Sequence, residues 1–178
     1  MYKTGQLIMY ANTGVCRVDS IGAPPSDFPE ECKERLYYRL SEVYGKNIIY
    51  IPVDTKNFMR PIISGAEAED VIQAIPDAKL LDEKSHSQKS WEEDYKQLLN
   101  SHDCRDLVCL LKTVYRKNQI AVQKGKKPWL INQHYRQRAE KLLYGELAAA
   151  LGIPFESVER YISDTVGPMK NKIAAETV

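Results

Sequence analysis

The chain has 178 residues, a formal net charge of +1, 43% hydrophobic and 28% charged residues. That is enough apolar material for a real core in one compact domain or two small ones. A total so near neutrality demands no polyanionic partner, and no run approaches the roughly 18 apolar residues of a membrane span. Met1–Gly5 leads straight into a strand-like segment without a basic-then-apolar leader, so a cytoplasmic location is expected.

In chain order, the first third reads as β. Gln6–Tyr10 and Val15–Ile21 are rich in Ile, Val and Tyr and are separated by the turn-forming Ala11-Asn12-Thr13-Gly14. Gly22–Pro29 reads as a loop, because Pro24, Pro25 and Pro29 donate no ladder bonds. Arg35–Ser41 and Asn47–Pro52 form an expected hairpin around Tyr44-Gly45-Lys46-Asn47, and Met59–Ile62 is a fifth strand. Five short strands without intervening helices predict a small antiparallel barrel of the SH3 or Tudor kind.

The rest reads as helix, making the chain α+β. Ser64–Ala74 is expected to be capped by Ser64 and Glu67, and Pro76 ends it. Residues 1–76 form the first expected domain. Asp77–Lys89, with only Leu80-Leu81 to bury, is the expected linker. A second helix is expected from a capping box at Ser90 and Glu93, with Trp91, Tyr95, Leu98 and Leu99 at helical spacing. A long helix from Cys104 to about Lys124 follows, then one capped at Asn132 and ending at Leu151 before Gly152. A short helix over Pro154–Asp164 completes a helical domain of residues 90–166, and a frayed tail is expected over 167–178.

Charge is unevenly placed. Between Leu110 and Leu142 stand nine bases (Lys112, Arg116, Lys117, Lys124, Lys126, Lys127, Arg136, Arg138 and Lys141) against one acid, Glu140. Asp82–Asp106 instead carries seven acids against four bases. A lone charge run is most often a solvated face. A basic cluster across two helices and their turn can neutralise several phosphates together, so it points toward nucleic acid.

Catalytic signatures are missing. No glycine loop precedes Lys-Ser/Thr, and neither G-x-S-x-G nor H-E-x-x-H occurs. Cys16, Cys32, Cys104 and Cys109 form no C-x-x-C pair and no zinc spacing with His86, His102 or His134, so they read as reduced thiols. Cys16 fits a packed small hydrophobe at strand period. No enzyme, metal, cofactor or small-molecule substrate is expected.

Tyr2-Lys3-Thr4-Gly5-Gln6-Leu7-Ile8-Met9-Tyr10, Gly14-Val15-Cys16-Arg17-Val18 and Ile49-Tyr50-Ile51-Pro52-Val53, with Leu36-Tyr37-Tyr38-Arg39-Leu40 between them, carry a family likeness. Together they resemble the polymerase-interacting module shared by CarD-like regulators and the transcription-repair coupling factor, a Tudor-like barrel in that family. Ser90-Trp91-Glu92-Glu93-Asp94-Tyr95-Lys96 resembles the CarD W-x-x-x-Y-K helix start. Leu99-Asn100-Ser101-His102-Asp103 resembles its L-x-S-G-D turn with His102 in place of glycine, and Gly145-Glu146-Leu147-Ala148 its closing helix. The likeness covers roughly residues 1–164, and the helicase motor of the coupling factor is not expected.

The resemblance implies a transcription regulator that stabilises the open complex. Its barrel would hold the RNA polymerase β subunit by strand-edge pairing, with Tyr38, Arg39, Tyr50 and Pro52 as the contact positions. Its helical domain would grip promoter duplex DNA at the upstream edge of the bubble. Trp91 would wedge into the minor groove, aided by Tyr95, Lys96 and the basic cluster. This chain departs from the pattern at Glu93 and Asp94, where some relatives carry arginines, and at Tyr50, where some place a polymerase-contacting arginine. Trp129 has no family counterpart and reads as core. The rival reading is a protein-interaction adaptor that does not bind DNA.

Overall fold

The computed structural model describes the backbone of residues 1–81 and 88–175, with side chains at 1–81 and 90–167. It divides into two compact units, Met1–Ile62 and Ile63–Val178.

The first unit is a sheet of β1 (Leu7–Tyr10), β2 (Gly14–Gly22), β3 (Tyr37–Glu42), β4 (Ile48–Pro52) and β5 (Met59–Pro61). Each strand lies within two residues of its expected bounds. The order is β4-β3-β2-β1-β5, with antiparallel neighbours throughout. Side-chain alternation puts Ile8, Cys16, Val18, Tyr38, Leu40 and Ile51 together in a buried cluster. Full burial of an aliphatic side chain of this size contributes about 1.5–3 kcal/mol relative to exposure. Gly14, at φ 99°, brings the chain out of the β1–β2 turn in a conformation that other residues rarely adopt. In the β3–β4 turn, Asn47 Nδ2 donates to the buried Glu42 carboxylate at 2.8 Å. A Cβ at Gly45 would fall 2.2 Å from that same carboxyl group, so the turn is built around the absence of a side chain.

The expected barrel does not close. Among the described residues β4 pairs only with β3 and β5 only with β1, leaving both as sheet edges. β5 has three residues, and both strands end in a proline, Pro52 and Pro61, that has no N–H to donate across a seam. The expected loop before β3 is followed by a short helix, α1 (Glu30–Lys33), which starts after Pro29.

The second unit is helical: α2 (Gly65–Gln73), α3 (Gln88–Asn100), α4 (Cys104–Gln123), α5 (Leu130–Leu151), a 3-10 turn at Phe155–Ser157 and α6 (Val158–Ala175). The capping box of α2 is present: Ser64 Oγ accepts from the Glu67 N–H, and Glu67 Oε2 accepts from the Ser64 N–H. α2 packs on α5 and α6, so the boundary between units falls at Ile62/Ile63 rather than at 76. Glu146 of α5, fully buried, fixes that entry point. It accepts from the Ile63 N–H at 3.0 Å and from Cys104 Sγ at 3.2 Å. Nor is the start of the expected linker free. Lys112 Nζ donates to the carbonyls of Pro76 and Ala78, both at 2.7 Å, and the Leu81 N–H donates to Thr113 Oγ1 at 3.1 Å. The remainder of that expected linker includes 82–87, which lie outside the described residues.

Three expected helix ends are revised. α3 starts at Gln88, which places Ser90 inside its first turn and not at a cap. α5 starts after Trp129, and Asn132 is buried within the helix, where its Nδ2 donates to Asn118 Oδ1 at 3.1 Å. α6 continues through Gly167 to Ala175, where a frayed tail was expected. The α3–α4 turn has the order expected for it. Ser101 Oγ donates to the Leu98 carbonyl at 2.8 Å, and Asp103 caps α4 by accepting from the Arg105 N–H at 2.7 Å.

His102 in this turn adopts φ 57°, which gives a physical reason for the glycine of the resembled motif: left-handed backbone strains any residue with a Cβ. His102→Val adds branching at Cβ in this conformation. It is expected to lower the stability of the helical unit by about 2 kcal/mol, read as a drop in the urea midpoint.

Candidate polymerase and nucleic-acid interfaces

On the face of the sheet opposite the core, the register sets Arg39 beside Tyr50 and Ser41 beside Ile48. A bulge in β2 between Val18 and Ser20 brings Asp19 to the same place. Its carboxylate accepts from Arg17 Nε at 3.0 Å, Arg39 Nη1 at 2.7 Å and Ser41 Oγ at 3.0 Å. Burial alone pushes the Asp19 carboxyl up. The hydrogen bonds from Arg17 and Ser41 and the charges of both guanidiniums outweigh it and hold the group below the usual carboxylate range. The arginines are thereby aimed, not left to wander. Phe28 packs edge-on against both Tyr37 and Tyr50, at 5.8 Å between ring centroids in each pair, and closes one end of this face. Beyond Tyr50, Ile48 is half exposed on the edge strand.

Of the four expected polymerase-contact positions, Arg39, Tyr50 and Pro52 are partly exposed, and Arg39 and Tyr50 stand side by side. Tyr38 is a correction. It points into the core, 2% exposed, and its hydroxyl accepts from the Tyr2 N–H at 2.9 Å.

The helical unit reassigns several expected DNA contacts. Trp91 is 7% exposed and Tyr95 fully buried. Their rings lie 5.8 Å apart, and Tyr95 stacks in turn on Tyr135 at 5.5 Å. Lys117 Nζ sits 3.4 Å from the centroid of the Trp91 indole, and also faces Tyr95 at 5.8 Å and Trp129 at 6.0 Å. The indole expected to project as a wedge is therefore the floor of a cation–π stack, because its position on α3 faces α4 and α5. Trp129, expected in the core, is half-buried at the start of α5.

Three members of the basic cluster have internal work. Lys112 holds the Pro76 and Ala78 carbonyls, and Lys117 covers Trp91. Arg136 pairs with Glu140 at 3.1 Å and lies 5.3 Å from the Tyr115 ring. The Tyr115 hydroxyl donates to Glu140 at 2.7 Å, and burial, then that bond, push its pKa well up. By contrast Lys96, Arg116, Lys124, Lys126 and Lys127 are exposed, and Arg138 is partly so. Lys124, Lys126 and Lys127 cluster on the turn between α4 and α5, which Gly125 at φ 66° makes tight. The surviving basic surface is a helical-hairpin tip.

Sequence reasoning missed Asp19 and Glu146. The Arg17-Val18-Asp19 alternation was a signal for the former. For the latter no signal existed, since an acid in a helix gives no hint of full burial. All four cysteines are free, and no helix among the described residues is long and apolar enough to cross a membrane.

Residues 2–63 match the family model of the CarD-like/TRCF RID domain. The matched span coincides with the sheet unit and covers about a third of the chain. It points to a transcription-related function that involves RNA polymerase. A search of curated proteins returned no match for the chain.

Two outcomes follow from these contacts. Trp91→Ala removes a buried indole and is expected to cost about 3–5 kcal/mol in chemical denaturation, as a core residue does and a projecting wedge does not. Because the folded Asp19 pKa is depressed, its ion pairs stabilise the sheet fully above the unfolded value of about 4, and that part is lost as pH falls through the folded pKa. Urea midpoints measured from neutral to acid pH should show this component in the wild type and lack it in Asp19→Asn.

Proposed function

We propose that this chain is a transcription regulator without catalytic chemistry, which binds the RNA polymerase β subunit and promoter DNA and stabilises the open complex. The observation that carries the reading is the match of residues 2–63, joined to a sheet whose edge strand β4 carries Tyr50 beside Arg39 of β3. An unpaired edge offers backbone groups for strand addition, and the neighbouring side chains give that pairing its specificity. Asp19 orients the arginines in advance, which lowers the entropy lost on docking.

Promoter DNA is held through phosphates by Lys124, Lys126 and Lys127, with Arg116, Lys96 and Arg138 as further cations. Trp91 has no part in this reading, because 7% exposure beneath Lys117 leaves no ring face to insert. Stabilisation then comes from differential binding: a factor that grips DNA better in the open complex than in the closed one shifts the equilibrium by that difference.

The test compares the wild-type chain with Arg39→Ala/Tyr50→Ala and with Lys124→Ala/Lys126→Ala/Lys127→Ala, by polymerase co-elution and open-complex lifetime on a responsive promoter. The sheet variant should bind polymerase at least about tenfold more weakly. The lysine variant should keep polymerase but lose duplex retention, with a salt slope smaller by about 2–3. A wild-type chain that captures polymerase yet leaves the lifetime unchanged and ignores DNA at low salt would support the adaptor reading instead.

A further inference from the structure

The first two turns of α5 present an exposed stripe that the phosphate contacts do not use. Leu130, Gln133, His134 and Gln137 recur at i, i+3, i+4 and i+7, the spacing of one helix face, and all four are exposed. They line a groove of about 690 Å³ together with Trp129, Ile131 and, from α3, Glu92. Among the described residues the side-chain amides of Gln133 and Gln137 make no hydrogen bond within the protein. Leu130 is 77% exposed and stands in this groove beside Trp129 and Ile131.

The electrostatics along this face are ordered. Lys124, Lys126 and Lys127 precede the stripe and Arg138 follows it, while its middle carries amides, an imidazole and the nearby carboxylate of Glu92. Cations at both ends suit two phosphate backbones. An acid between them repels phosphate there and accepts a hydrogen bond from a base amino group instead. An α-helix fits the major groove of duplex DNA, where glutamine can both donate and accept against an adenine edge and an aliphatic side chain can meet a thymine methyl.

We propose that this face of α5 is a base-reading surface for the major groove of duplex DNA, with Gln133 and Gln137 as its specificity residues. The proposal rests on the DNA-binding reading above and adds sequence selection to it. His134 and Leu130 flank the two amides, and the lysines of the α4–α5 turn set the docking register.

The experiment is selection by the full chain from a pool of randomised duplexes of about 20 base pairs, followed by affinity titrations on the enriched and an unselected duplex. The expected result is an enriched motif containing adenine. Gln133→Ala and Gln137→Ala should each weaken binding to that duplex about tenfold and leave the unselected duplex unaffected. Lys126→Ala/Lys127→Ala should weaken both duplexes equally. Salt-dependent binding without an enriched motif overturns base reading and leaves the DNA-binding reading standing. So does a motif indifferent to both glutamine variants. Tighter binding to duplex RNA or to single strands overturns the proposal as well, and absence of all nucleic-acid binding removes both readings. Because both glutamines are solvent-facing on a helix, alanine should not disturb folding, which circular dichroism checks.

Discussion

One ammonium decides how the helical unit can act. Lys117 Nζ lies 3.4 Å above the Trp91 indole, with Tyr95 and Trp129 around it, and joins α3, α4 and α5 in a single stack. A cation over a desolvated aromatic face is worth about 2 kcal/mol, and the indole beneath it adds the larger burial term. This consumes both the ring that seemed free to wedge into DNA and a cation that seemed free to meet phosphate. The exposed cations gather at the α4–α5 turn, in Lys124, Lys126 and Lys127, with Lys96, Arg116 and Arg138 apart from it.

The sheet unit solves a different problem with similar means. Six of its buried side chains cluster on one face, and around Asp19 the other face carries polar groups. Asp19 turns those groups into an arrangement: one carboxylate, set by a bulge, holds two arginines and a serine. Since the sheet does not close, β4 keeps an outer edge next to them. An open edge invites unwanted pairing unless a partner or protective feature covers it. Here Pro52 and the packing of Phe28 on Tyr50 limit its length.

Buried polar contacts also define where the helical unit begins. Glu146 binds the Ile63 N–H and the Cys104 thiol in a fully buried position, and Lys112 binds the carbonyls at Pro76 and Ala78. These bonds make α2 and the segment after it parts of the helical unit. A buried carboxylate without such donors would be strongly unfavourable, so the arrangement stands or falls as a set.

The amino-acid order by itself determined the elements other than α1. Short runs rich in Ile, Val and Tyr between turn-forming residues marked the strands, helical spacing of Trp91, Tyr95, Leu98 and Leu99 marked α3, and the Ser64–Glu67 pair marked a helix start. The N-terminal segments also carried the likeness that the match of residues 2–63 supports. These are local signals, set by dihedral preferences and by which side chains recur on one face. Tertiary structure alone decided that the barrel stays open, that α2 joins the helices, and that Trp91, Tyr95 and Lys117 are interior partners. Such choices depend on groups far apart in the chain, such as Trp91 with Lys117 or Ile63 with Glu146. Periodicity says that a face is apolar or charged; which neighbour covers it follows from packing.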